Sequence, residues 1–156
     1  MKLMDFLVEE AIVFDLKSRD KSGALKEMVE ALKGAQKISS KEIENILEAL
    51  AKREKLGSTG IGGGVAVPHI KHVGITRLMG TLARSKPGVE FDALDGEPVH
   101  LLFLLLSPNE PSSNYLSALE RIATIIRDND FRRFISMARN KKEMLEILKE
   151  KDGYRL

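Results

Sequence analysis

The chain has no cysteine, only three histidines, and almost no surplus of charge of either sign: 25 Lys plus Arg stand against 23 Asp plus Glu, a formal charge of +2. The missing cysteines exclude a disulfide framework, a thiolate zinc site and a cysteine nucleophile, and they leave the redox compartment unconstrained. The weak net charge, with no clustering of basic residues, argues against nucleic acid or an anionic membrane as the main partner. Long hydrophobic runs are missing too. The N-terminal stretch MKLMDFLVEEAIVFDL is interrupted by Asp5, Glu9, Glu10 and Asp15, which breaks both a signal-peptide core and a membrane span. The expected location is therefore the cytoplasm, with no direct membrane insertion.

What is present fits one domain. At 156 residues, 43% hydrophobic and 31% charged, the chain can bury a core without metal or disulfide staples. Ala24, Leu25, Met28, Val29 and Leu32 recur at helical spacing, with Ser22 as the expected cap and Gly34 just past the end. Ser39 and Glu42 have the spacing of a capping box ahead of the apolar face Ile43, Ile46, Leu47, Leu50 and Ala51, a helix that should stop near Leu56 and Gly57. Val65 to Val67 reads as a short strand ended by Pro68, and Leu78 to Ser85 as another strand. Val99 to Leu106 is the most hydrophobic run and has the length of a strand buried on both faces, the expected centre of a sheet. A third helix should begin in the cluster Ser112, Ser113, Asn114 and turn Leu116, Leu119, Ala123 and Ile126 inward; shorter helices are expected at Phe131 to Ala138 and, behind Asn140 as cap, at Lys141 to Lys151. The mixture predicts a single α/β or α+β layered domain over residues 1–156.

The chemistry concentrates in GSTGIGGGVAVPHIKH, residues 57–72. Glycine-rich turns commonly bind phosphate, but a Walker A loop needs Lys followed by Ser or Thr after its last glycine, where Val65 and Ala66 stand here. A dinucleotide fingerprint needs a strand before the glycines and a helix after them, the reverse of the order expected here. Two readings remain. In one, loop amides at Ser58, Thr59, Gly60, Gly62, Gly63 and Gly64 face an anion, as in a nest, beside His69. Imidazole, with an ordinary pKa of roughly 6.5, offers a free ring nitrogen near neutral pH. A short helix following His69 would add positive potential there. In the other, the loop is a tight connection before a surface histidine. Arg53 sits sixteen residues before His69 in the last turn of the second helix, either gripping phosphoryl oxygens as a fork or solvated among Lys52, Glu54 and Lys55. His69 and His72 lack the further ligands that zinc needs, so no metal site is expected; His72 reads as a surface residue and His100 as a structural, hydrogen-bonded one.

The stretch REKLGSTGIGGGVAVPH, Arg53 to His69, resembles the active-site signature of the EIIA proteins (type 2, fructose/mannitol class) of the bacterial phosphotransferase system, and is most similar to their nitrogen-regulatory members. The resemblance continues through FDALDGEPVHLLFLLLSP and the helix near Ser113, covering essentially the whole chain. It implies a central mixed β-sheet of about five strands flanked by helices. It also implies a histidine phosphocarrier: His69 accepts a phosphoryl group from the carrier protein HPr or its nitrogen-branch relative, Arg53 stabilises the phosphate charge, and no cofactor takes part. Partners implied are that carrier, a IIB component or regulated proteins. Two departures stand out. Tyr115 occupies the position where many members carry a second active-site histidine; a phenol donates a hydrogen bond but does not titrate as an imidazole. Gly63 stands where mannitol members have a glutamate, which leans the sequence toward the regulatory branch. A sugar-specific IIA serving a separate IIB, or an interaction module without phosphotransfer, are the alternatives.

Overall fold

The computed structural model describes residues 1–153, which form a five-stranded mixed sheet with helices on both faces. Its axis is β5 (Val99–Pro108). On one side β4 (Met79–Val89) pairs with β5 antiparallel, from Met79 opposite Leu106 to Arg84 opposite Leu101, with a bulge before Val89. On the other side β2 (Val65–Ala66) and β3 (His69–His72) run end to end, both parallel to β5, and β1 (Gly60–Gly62) folds back antiparallel on β2. Before α1, the N-terminal segment follows the outer edge of β4 through bridges at Leu7, Val13 and Asp20.

The hydrophobic run in β5 is explained by its two neighbours in depth. Leu102, Leu104 and Leu106 point into a core formed with α1 (Lys21–Gly34) and α2 (Ile43–Lys55), whereas Leu101, Phe103 and Leu105 point into a second core formed with α3 (Ser113–Ile126), α4 (Asn129–Met137) and α5 (Lys141–Lys151). Period-two alternation is present, but both faces are apolar, so the sequence reads as continuous.

Several local expectations are corrected. Asp20, not Ser22, caps α1: its carboxylate accepts from the Gly23 amide at 2.7 Å, and Ser22 lies inside the first turn. The Ser39–Glu42 capping box does not form. The chain tightens there into a 3-10 turn, Ser40–Glu42, so the Glu42 amide donates to the Ser39 carbonyl at 3.0 Å rather than to its hydroxyl. Pro68 interrupts the strand without ending it: its carbonyl still accepts from Leu105 N at 2.9 Å, and β3 continues along β5. No helix therefore follows His69. On α3 the buried face is Ala118, Ile122, Ile125 and Ile126; Ile126 points inward as expected and Leu119 packs half-buried against the same core, whereas Leu116, expected inward, is 67% exposed. The Asn140 cap on α5 forms as expected, accepting from Glu143 N at 2.8 Å. Among the described residues no helix is long and apolar enough to cross a membrane.

Candidate functional site

His69 opens β3, half-buried, directly after the Val67–Pro68 interruption. Its Nδ1 lies 2.7 Å from the Val67 carbonyl oxygen. That carbonyl is free of the β5 ladder, because a strand's successive carbonyls alternate sides and Pro68 is the one facing β5. An Nδ1–H donating to Val67 leaves Nε2 as the ring nitrogen with a lone pair.

One side chain, Tyr115, stands beside this ring, and the charge of Arg53 reaches Tyr115. Tyr115, in the first turn of α3, places its ring centroid 6.2 Å from that of His69 at a tilt of 49°. Arg53 lies in the last turn of α2, which packs against β3, and its Nη1 donates to the Gly57 carbonyl at 2.8 Å. One guanidinium nitrogen thus anchors Arg53 to the loop that follows its own helix. Burial pushes the Tyr115 phenol above its ordinary pKa, while the positive charge of Arg53 pulls it back down, so the two side chains share one electrostatic environment. Lys71 adds a second cation, its Nζ 5.1 Å from the Tyr115 ring centroid. The N-terminal end of a helix near the ring is that of α3, supplied from elsewhere in the chain rather than by the residues after His69.

Part of the glycine loop is engaged within the protein itself. Gly62, Gly63 and Gly64 all have positive φ, at 101°, 66° and 78°, and form the turn between β1 and β2. Val65 pairs with Leu101 and His69 with Leu105, so this turn lies four residues further along β5, about 13 Å from the histidine. The Gly63 amide donates to the Asp95 carboxylate at 3.1 Å, and that contact together with the Glu97 amide holds Asp95 below the usual carboxylate range. Nearer His69, the Gly60 amide donates to Ser58 Oγ at 3.0 Å, and Ser58 in turn donates to the Phe91 carbonyl at 3.1 Å. The Thr59 amide donates to Glu54. The amides of Thr59, Gly60 and Gly63, three of the six expected to face an anion, have acceptors within the protein and help to shape the loop.

Glu54 is the residue that sequence reasoning missed. Set among Lys52, Arg53 and Lys55 it reads as solvated, yet it is only 8% exposed, accepts from both the amide and the hydroxyl of Thr59, and pairs with Lys21 Nζ at 3.1 Å. Nothing in the local pattern signals this, since its partners come from α1 and from the loop beyond α2. His72 is half-buried and accepts from the Gly74 amide at 2.9 Å, away from any set of metal ligands among the described residues. His100 is hydrogen-bonded through Nδ1 to the Ser85 carbonyl at 2.8 Å, the structural arrangement expected of it.

Comparison with known proteins finds one family over nearly the whole chain. The family model described as "Phosphoenolpyruvate-dependent sugar phosphotransferase system, EIIA 2" matches residues 5–151. A nitrogen regulatory protein of Bradyrhizobium diazoefficiens is 37% identical over 148 residues, covering 95% of each chain. The fructose-specific EIIABC component of Bacillus subtilis is 31% identical over 97% of this chain, which spans 24% of that longer protein. The crystal structure of the nitrogen regulatory protein IIA-Ntr from Neisseria meningitidis superposes with a TM-score of 0.82 at 33% identity, covering 92% of this chain and 97% of that one.

Proposed function

The chain belongs to the EIIA type 2 family of the phosphoenolpyruvate-dependent phosphotransferase system, and from that premise we propose that it carries a phosphoryl group on Nε2 of His69. The observation that carries this reading is the 2.7 Å contact between His69 Nδ1 and the Val67 carbonyl, which assigns the proton to one ring nitrogen and the lone pair to the other. In the transfer, Nε2 attacks the phosphorus of a donor phosphohistidine, the new N–P bond forms as the donor's N–P bond breaks, and the donor imidazole leaves with the bonding pair. His69 gains positive character as the bond forms, so the hydrogen bond from Nδ1–H to Val67 strengthens in the transition state, where it lowers the barrier.

Arg53 supplies fixed positive charge for the phosphoryl oxygens through the N–H groups that Gly57 does not occupy, and Lys71 adds to the local potential. Tyr115 stays neutral at ordinary pH and is placed to donate one hydrogen bond, where a second histidine would titrate. Catalysis here is positioning and charge neutralisation. The donor is HPr or a nitrogen-branch HPr-like protein, met in the cytoplasm. Exposed aliphatic side chains within four residues of Arg53, His69 and Tyr115 in sequence, Leu56 at 86%, Val73 at 79% and Leu116 at 67%, give it an apolar surface to dock on.

The regulatory branch is favoured by the nitrogen regulatory relative, which this chain matches from end to end. The fructose-specific relative supports a second reading, in which the phosphoryl group passes to a separate IIB protein. Incubation with phosphoenolpyruvate, enzyme I and HPr, followed by mass spectrometry, tests the shared core of both. An acid-labile gain of one phosphate that disappears in His69→Ala is expected; an unmodified wild-type protein leaves only a non-phosphorylated interaction module. Adding purified IIB to the phosphorylated protein then separates the two readings by whether the phosphate moves.

A further inference from the structure

We propose that Glu54 is a positioning residue for phosphoryl transfer, setting the tautomer and orientation of His69 through Thr59 and Val67; this rests on the reading of His69 as the phosphoryl acceptor. The connection is continuous. Lys21 Nζ and the Thr59 amide both lie 3.1 Å from Glu54 Oε1, while Oε2 accepts from the Thr59 hydroxyl. The Thr59 carbonyl accepts from Val67 N at 3.0 Å, and the Val67 carbonyl accepts from His69 Nδ1 at 2.7 Å. Every group between the carboxylate and the imidazole is thus held by a hydrogen bond, and Thr59 at its centre is buried.

Stability alone does not account for a carboxylate at this place. Glu54 sits in the last turn of α2, beside the negative end of the helix dipole, where an acidic side chain is disfavoured. It is also removed from water, which costs free energy unless charge and hydrogen bonds compensate. Lys21 compensates part of this, and is itself fixed by lying 4.9 Å from the Phe91 ring centroid. A residue that breaks the local rule at a point adjoining a reaction centre is the pattern expected where geometry is selected over stability. The arrangement also explains how two distant chain segments stay in register: Arg53 is the neighbour of Glu54 on the helix, and Val67 is tied to the loop that Glu54 grips. One carboxylate therefore sets both the guanidinium and the carbonyl that orients the imidazole.

The test uses Glu54→Gln and Thr59→Val in the full chain, with Thr59→Ser as the variant that keeps the hydroxyl. Two readouts are taken: 1H–15N spectra of the His69 ring in the unphosphorylated protein, and phosphorylation rate across a range of phospho-HPr concentrations. We expect Glu54→Gln and Thr59→Val each to move ring protonation from Nδ1 toward Nε2. Each should also lower the maximal rate about tenfold with the half-saturating donor concentration unchanged, and the double variant should be no slower than either single one. Thr59→Ser should restore both properties. Should Glu54→Gln fail to fold, Thr59→Val decides the matter alone. A His69 tautomer ratio equal to wild type in the folded variants overturns the proposal. That spectrum is read without phosphate, so it stands even if wild-type protein proves not to be phosphorylated, a result that would instead remove the acceptor reading.

Discussion

His69 Nδ1 and the carbonyl oxygen of Val67, two residues earlier in the same chain, are 2.7 Å apart. So short a contact between a ring nitrogen and a carbonyl requires the proton on Nδ1, because a carbonyl only accepts. The phosphoryl group should therefore be found on Nε2. Heteronuclear NMR of the phosphorylated protein distinguishes the two isomers by the 31P coupling to the ring; a phosphate on Nδ1 would show that this contact breaks on the way to reaction.

Arg53 is fixed at one nitrogen, and among the described residues its others meet no acceptor, the arrangement of a clamp rather than of a mobile surface side chain. One charge-assisted contact made in a transition state is worth about 2 kcal/mol, or roughly thirtyfold in rate. Arg53→Ala should slow phosphorylation by more than about tenfold while the circular dichroism spectrum stays unchanged, with Arg53→Lys recovering only part of the loss because an ammonium cannot form the fork. Rates equal to wild type would remove Arg53 from the site.

For Tyr115 the sign of the pH effect follows from burial, which raises the phenol above its ordinary value and outweighs the opposing pull of Arg53. An acid whose pKa is higher in the folded state keeps its full contribution below the unfolded value, about 10, and loses it as pH rises through the folded value. Between about pH 9 and 11 the wild type should thus lose more stability than Tyr115→Phe, read as the change in melting temperature of each protein. Identical pH profiles would mean that the phenol ionises freely. Replacement by histidine, Tyr115→His, should fold normally and speed phosphorylation by restoring a titrating group; a slower variant would show that the tyrosine has its own role.

Much of the architecture was legible because burial leaves a periodic mark. The β5 run from Val99 to Leu106 named the sheet centre, the stripes of α1 and α2 named those helices, and the Asn140 cap marked the start of α5. What was not legible depends on pairing across long separations. Pro68 looked like a terminator, and only the parallel register of His69 with Leu105 makes the chain resume as a strand. Leu116 was expected inward but is exposed, because Ala118 and Ile122 are the residues that share the buried core with β5, with Leu119 only partly covered beside them. At the site, residue type and spacing left His69 and Arg53 each open between a phosphate role and a plain surface one, and the resemblance of the stretch from Arg53 to His69 to the family signature singled them out. The glycines were ambiguous, since the same residues suit a hairpin turn and an anion nest equally well, and a tight approach such as Gly60 against Ala93, where a Cβ would come within 2.8 Å, leaves no sequence trace. Glu54 was hidden because a buried acid flanked by cations has the local pattern of a solvated one.

Asp152 shows the same invisibility in a residue whose consequence is stability rather than transfer. Its side chain is fully buried at the end of α5, and it accepts from the amides of Leu3 at 2.9 Å and Met4 at 2.7 Å and from Arg121 Nη2 at 2.8 Å. One carboxylate thus ties the first turn of the chain to α3 and to the end of the last helix. Asp152→Ala would strand a partly buried guanidinium and two amides together, and breaking such a pair from one side costs about 3 kcal/mol. For a domain of this size that corresponds to a fall in melting temperature of roughly 10 °C. Because Asp152 touches neither His69 nor any group bonded to it, phosphorylation below the new transition should proceed at the wild-type rate. Urea titration and the phosphorylation assay together check both halves: a loss under about 1 kcal/mol would mean that solvent replaces these contacts.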